Sequence, residues 1–294
     1  MEWKPDWGLR GRMFLTMFLL FALYVVFAAV MSQTRYAGFL VLMVPFLFVQ
    51  YFFSDRLALY SMGAHEVSEE EYPQLHAIVS RLSQQADLPK PKVAVADTGV
   101  PNAFATGRSQ KNSTVCVTTG ILRTLDQDEL EGVLAHELSH VKNRDVAVMT
   151  IASFLSTLAF LVVRWGWLFG GGGGGGRDRG GNAAPVFVAI IVSLVVWIVS
   201  FLLIRALSRY REYAADRGGA TITGKPAALA SALLKISGRM DKVPQDDLRE
   251  QNQMNAFFII PIKSGFVGRL FATHPSTEAR VERLREMERE MESV

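Results

Sequence analysis

Sulfur chemistry is nearly absent from this chain of 294 residues, which has a single cysteine, Cys116. That excludes a disulfide framework and a thiolate zinc site, and it suits a reducing compartment. Cys116 lies in an apolar, β-branched run, Ser113 to Val117, and reads as a small buried core residue instead of a catalytic thiol. Charge is also sparse: charged residues make up 20 % of the chain and the net charge is +3. The basic residues gather beside apolar blocks, where anionic lipid headgroups account for them, so nucleic acid is not an expected partner. Histidine is rarer still, with five in all. No internal repeat stands out.

Apolar residues, by contrast, are abundant. They form 50 % of the chain, the mean hydropathy is +0.20, and they collect in long blocks, as in a membrane protein. Met13 to Met31 is 19 residues without a charge, and Ala37 to Phe53 is 17. Val146 to Leu168 and Ala183 to Ile204 are each close to the roughly 20 residues that a helix needs to cross a bilayer. Arg164 falls near the far end of the third block, with Trp165 and Trp167 beside it as an aromatic belt. The expectation is four spans in two hairpins. A cleaved signal peptide is the competing reading of the first block, but its apolar run exceeds an h-region and no small-x-small site follows, so it reads as an anchor. The seven glycines Gly170 to Gly176 and the polar residues after them read as a flexible linker between spans three and four, since a phosphate loop would need a preceding strand and a Lys-Ser/Thr helix start.

Lysine and arginine are denser before span one and after span four than in the loops between paired spans, which places both termini in the cytoplasm. The chain then divides into a transmembrane hairpin (1–54), a first soluble segment (55–145), a second hairpin with the glycine-rich loop (146–204) and a second soluble segment (205–294). Both soluble segments lie on the same side and build one domain together.

Two of the five histidines stand four residues apart. His136, Glu137 and His140 spell HExxH, and residues i and i+4 share a helix face, so both imidazoles reach one metal ion. Glu137 points elsewhere, to where a general base takes a proton from water. Thr124 or Asp126 caps the start of this helix, and Leu130, Val133, Leu134, Leu138 and Val141 give it an apolar stripe. A hydrolytic zinc site needs a third protein ligand. Glu212 is the best candidate, in Arg-Glu-Tyr-Ala-Ala-Asp on a short helix expected just after span four. Asp216, one turn on, fits as acceptor for the outer nitrogen of a ligating imidazole.

Pro73 to Gln85 reads as a helix, and Val93 to Asp97 and Thr114 to Thr118 as short strands. Between the strands lies Pro101 to Gly107. As an edge strand it would bind an extended peptide through Asn102, Ala103, Phe104 and Ala105; an ordinary sheet edge is an equal reading. His274, before Pro275 and a last helix over Thr277 to Ser293, fits an oxyanion donor, a fourth zinc position or a structural role. Asp145 fits either a hydrogen-bond partner of a ligand or a surface charge. His65 and His76 have no partner pattern and read as structural.

Four motifs in this order, PNAFATG (101–107), HELSHVKNRD (136–145), REYAAD (211–216) and THPS (273–276), make the chain resemble the HtpX group of membrane metallopeptidases, relatives of the eukaryotic CAAX prenyl protease. The resemblance covers nearly the whole length. It implies a multi-pass α-helical membrane protein with a mainly α, α+β zincin-like catalytic domain. One zinc ion per chain would be held by His136, His140 and Glu212, with Glu137 as base. It further implies hydrolysis of damaged or misfolded membrane proteins at the cytoplasmic face of a bacterial or archaeal inner membrane, beside other quality-control proteases. The polyglycine tract departs from the family pattern. Two rival classes are an intramembrane-cleaving protease, which the charges around HExxH disfavour, and a noncatalytic zinc-dependent scaffold or transporter, which would need no base.

Overall fold

Alternation along the strands explains the sheet. In the computed structural model, which describes residues 6–33, 36–170, 184–240, 259 and 274–293, β1 (Ala64–Glu66), β2 (Lys92–Ala96), β3 (Ala103–Ser109) and β4 (Asn112–Thr118) form one sheet in the order β1-β2-β4-β3. β2 runs parallel to β4, while β1 and β3 are antiparallel to their neighbours. β3 is therefore an edge strand. On one face Val93, Val95, Val115 and Val117 enter the main core; on the other, Ala94, Ala96, Phe104 and Cys116 pack with Ala58. Burial pushes the Cys116 thiol up to about 12, so it is inert, as its apolar surroundings in the sequence suggest.

The chain separates into two compact units. The first comprises Phe53–Ala147 and Ser208–Val294 and holds the sheet with α3 (Pro73–Gln85), the short α4 (Thr119–Leu122), α5 (Gln127–Lys142), α8 (Pro226–Met240) and α9 (Thr277–Glu292). Its core joins the valines of the sheet to Val79 and Leu82 of α3, Leu134 and Leu138 of α5, Leu233 of α8 and Leu284 of α9. α5 is buried on all sides from Glu129 to Ser139, so its start must be satisfied by protein. A capping box does this: Asp126 accepts from the Glu129 amide at 3.0 Å and Glu129 from the Asp126 amide at 3.0 Å. Ser231 and Lys235 of α8 then close on the Glu129 carboxylate, each at 2.7 Å. β1 and α8 go beyond the elements read from the sequence.

The second unit comprises Asp6–Phe52 and Val148–Leu207. It contains α1 (Trp7–Ser32), most of α2 (Tyr36–Ser61, with Pro45 inside it), and the apolar lengths of α6 (Asp145–Gly170) and α7 (Ala184–Thr223). On α1, Leu20, Tyr24, Phe27 and Met31 form a buried stripe, and the Tyr24 hydroxyl donates to the Ala152 carbonyl of α6. The stripe facing away, Phe14, Phe18, Phe21 and Val25, is equally apolar and exposed. A helix in water would make that face polar; this one suits hydrocarbon. Among the described residues three helices are long and apolar enough to cross a membrane: Trp7–Ser32, Asp145–Trp165 and Phe187–Thr223. The polyglycine segment lies outside the described residues. No short separate helix follows the last apolar block, because α7 continues unbroken for 40 residues and carries Glu212 itself.

Candidate metal centre

His136 and His140 lie one turn apart on α5 with ring centroids 4.8 Å apart and planes at 89°, so their Nε2 atoms face each other across 3.2 Å. Glu212 reaches between them from α7, with Oε2 3.6 Å from His136 Nε2 and Oε1 3.4 Å from His140 Nε2. One ligand atom from each of the three residues lies within 4.8 Å of the others. Glu212, Asp216 and Gly219 occupy one stripe of α7, at i, i+4 and i+7. Gly219 allows that stripe to reach α5: a Cβ there would stand 2.9 Å from the His136 amide nitrogen.

Each imidazole is backed by its own carboxylate and each carboxylate by its own guanidinium. His136 Nδ1 is 3.0 Å from Asp216 Oδ1, and Arg280 grips Asp216 with Nε at 2.8 Å from Oδ2 and Nη2 at 2.6 Å from Oδ1. His140 Nδ1 is 2.5 Å from Asp145 Oδ2, and Arg211 Nε is 2.9 Å from Asp145 Oδ1. The aspartates accept from Nδ1–H, so they fix the ring tautomers and aim both Nε2 atoms at the same point. Burial opposes charge on His136, but Asp216 and Glu212 hold it above its ordinary value; against the same burial, Asp145 and Glu212 carry His140 up to about 10. The surrounding carboxylates thus favour positive charge in the site.

A divalent cation fits that demand. Beyond the convergent nitrogens, Glu212 Oε2 and His274 Nδ1 are buried 3.1 Å apart without forming a well-directed hydrogen bond, which leaves donor atoms in need of a partner. Two imidazoles and a carboxylate form a donor set suited to zinc.

Glu137 points away from the ligand cluster, as its place in the motif requires. Its Oε2 accepts from the Ala105 amide of β3 at 2.9 Å, and burial raises its carboxylate above the usual range against the lowering pull of His136 and His140. Of the four edge-strand residues, Ala105 is the one tied to the centre. Asn102 is fully buried and its Oδ1 accepts from the Ile259 amide at 3.1 Å; Ala103 faces the main core and Phe104 the far side of the sheet. Asp145, which the sequence left between two roles, is buried against His140. His76 Nε2 lies 3.0 Å from the Val67 carbonyl, remote from these groups in role.

Sequence reasoning missed Arg211 and Arg280. Arg280 is buried to 1 % exposure within a helix otherwise rich in charge. Its signal was phase: it falls at i with Leu284 at i+4 and Met287 at i+7, on the apolar face of α9. Besides Asp216, it donates to the Ile259 carbonyl at 2.9 Å and lies 3.4 Å from Glu212 Oε2. Burial works against its charge, yet the charge of Asp216 keeps it protonated.

An HExxH helix, a glutamate from a later helix and apolar membrane-length helices together define a membrane metallopeptidase. Residues 69–288 match the model of peptidase family M48, and the chain belongs to that family. It is 58 % identical over 297 residues to a protein named Protease HtpX homolog 2 from Methanosarcina acetivorans, covering 99 % of each chain. It is 56 % identical over 294 residues to Protease HtpX homolog from Moorella thermoacetica, covering 98 % of this chain and 97 % of that one. The crystal structure of Ste24p from S. mikatae is similar in fold, with a TM-score of 0.53 at 17 % identity; the match covers 92 % of this chain and 63 % of that longer one.

Proposed function

We propose that the chain is a zinc metalloendopeptidase with four membrane spans, α2 being the fourth, and both termini in the cytoplasm. Segments 55–145 and 205–294 form its catalytic domain, and hairpins 1–54 and 146–204 anchor it in a bacterial or archaeal inner membrane. The observation that carries this reading is the convergence of His136 Nε2, His140 Nε2 and Glu212 on one point, with the adjoining Glu137 carboxylate held at the edge of β3 by the Ala105 amide. Zinc, when bound, supplies a Lewis acid for the scissile carbonyl and a more acidic water.

The remaining steps belong to the protein's own groups. Asp216 and Asp145 orient the two imidazoles. The Glu137 carboxylate accepts the proton of the attacking water and later gives it to the leaving amine. His274, 3.1 Å from Glu212, donates toward the developing oxyanion. The outer edge of β3 aligns an extended substrate by main-chain hydrogen bonds. Its substrates are damaged or misfolded membrane proteins, a role it shares with other membrane quality-control proteases.

Glu137→Gln tests the assignment of the base. The variant should bind one zinc per chain, as wild type does, and lose at least roughly 1000-fold in turnover of an unfolded substrate. Cleavage at the wild-type rate would remove Glu137 from the mechanism.

A further inference from the structure

A cavity of about 370 Å³ opens beside the metal centre. One end is His140. One wall is β3 and its turn, from Ala105 to Lys111, and the other is the turn between α5 and α6 together with the first residues of α6, from Val141 to Ala147. The Gln110 amide donates to the Lys142 carbonyl at 2.9 Å and joins the two walls.

The strand that forms one wall is the edge of the sheet. Because the Ala105 amide points at Glu137 and not at β4, alternation along the antiparallel pair turns the main chain of Ala105 to the outer edge of the strand, and the residues from Ala105 to Lys111 also line the cavity. An extended peptide that adds to this edge runs through the cavity on one side of the bond being cut. Its side chains there meet an unequal set of charges. Arg108, Lys111 and Arg144 line the space, and all three are exposed. Among the described residues of the lining the single acid, Asp145, is buried and already engaged by His140 and Arg211. Arg144 adopts a left-handed backbone, φ 55°, at the turn that carries its side chain into the lining.

From these features we infer that the cavity is a subsite for acidic side chains, so that the enzyme selects substrates carrying Glu or Asp on one side of the scissile bond. This rests on the peptidase reading given above. Anionic lipid headgroups are the other chemistry that such cations attract, since Arg144 immediately precedes an apolar helix. Arg108 and Lys111 argue for the peptide: Arg108 lies near the end of β3 and Lys111 on the β3–β4 turn, not on the flank of a membrane helix, and they share the cavity with the strand edge and a ligand histidine.

The test uses full-length protein in uncharged detergent with zinc. Peptides of one sequence carry Glu or Lys at each of the four positions on either side of the cleaved bond. Wild type should favour Glu over Lys by roughly tenfold in kcat/KM on one side only. In Lys111→Glu/Arg144→Glu that ratio should invert, and in Lys111→Gln/Arg144→Gln it should approach one. Fluorescence anisotropy of the same peptides on Glu137→Gln reads the selection as binding, apart from turnover. Equal treatment of Glu and Lys at every position overturns the proposal, as does a preference that survives both double variants. It is also overturned if these substitutions change only the binding of vesicles containing phosphatidylglycerol. If wild type cleaves no peptide while Glu137→Gln still binds acidic ones selectively, the peptidase reading fails and the subsite stands.

Discussion

The two histidines of the candidate metal centre are backed by the same sequence of groups, imidazole to carboxylate to guanidinium, assembled from different parts of the chain. For His140 only the carboxylate is near at hand in sequence, Asp145 following it by five residues, while Arg211 comes from α7 beside Glu212. For His136 both supports are distant and come from α7 and from α9, close to the end of the sequence. The second relay is also the drier one. The side chains of His136 and Arg280 are 1 % and 2 % exposed, against 14 % and 11 % for His140 and Arg211. Burial therefore differs where chemistry is alike, and water can replace a lost partner on one side only.

Arg280→Met breaks the comparison most severely. It strands the buried Asp216 carboxylate, and removing one partner of such a pair costs about 3–5 kcal/mol. Zinc affinity, read by competition with a chromogenic chelator, should fall roughly 100-fold. Arg280→Lys should recover part of that loss, because charge returns without the two-pronged grip. A near-wild-type affinity for Arg280→Met would show that Asp216 orients His136 without help. Arg211→Met acts on the wetter relay and should cost about tenfold in affinity, with little change in melting temperature. Equal losses in the two variants would mean that burial does not separate the relays.

Cys116 supplies the smallest and sharpest readout. With its thiol held up to about 12, iodoacetamide at pH 8 should leave the folded protein unlabelled. Arg211→Met should remain unlabelled as well. Labelling of Arg280→Met at the rate of denatured protein would assign its loss of zinc to unfolding and not to the relay.

How much of this was legible beforehand depended on range along the chain. The α5 helix and its cap were readable because a capping box and a 3.6-residue stripe are local, and α3 was readable over the same bounds, Pro73–Gln85, for the same reason. The apolar blocks located α1, α2, α6 and α7, but Arg205, Arg209 and Arg211 made the last block look finished where the helix in fact runs on to Thr223. β1 was invisible, since three residues carry no period. That β3 lies outermost depends on sheet order, which no local pattern encodes. The donor residues of the centre stood out through spacing and residue type. The arginines behind them did not: α9 holds Arg280, Arg283, Arg285 and Arg289, and while phase with Leu284 and Met287 marks Arg280 as the one on the apolar face, no local pattern says that Asp216 of α7 awaits it there.

One further consequence follows from Gly219. With a hydrogen atom as its side chain, it sets the closeness of α7 to the main chain of His136, so the bite of the metal site is gauged by an atom that no other residue type can supply. Even the smallest replacement would act as a shim, widening the gap that Glu212 must bridge without touching a single ligand.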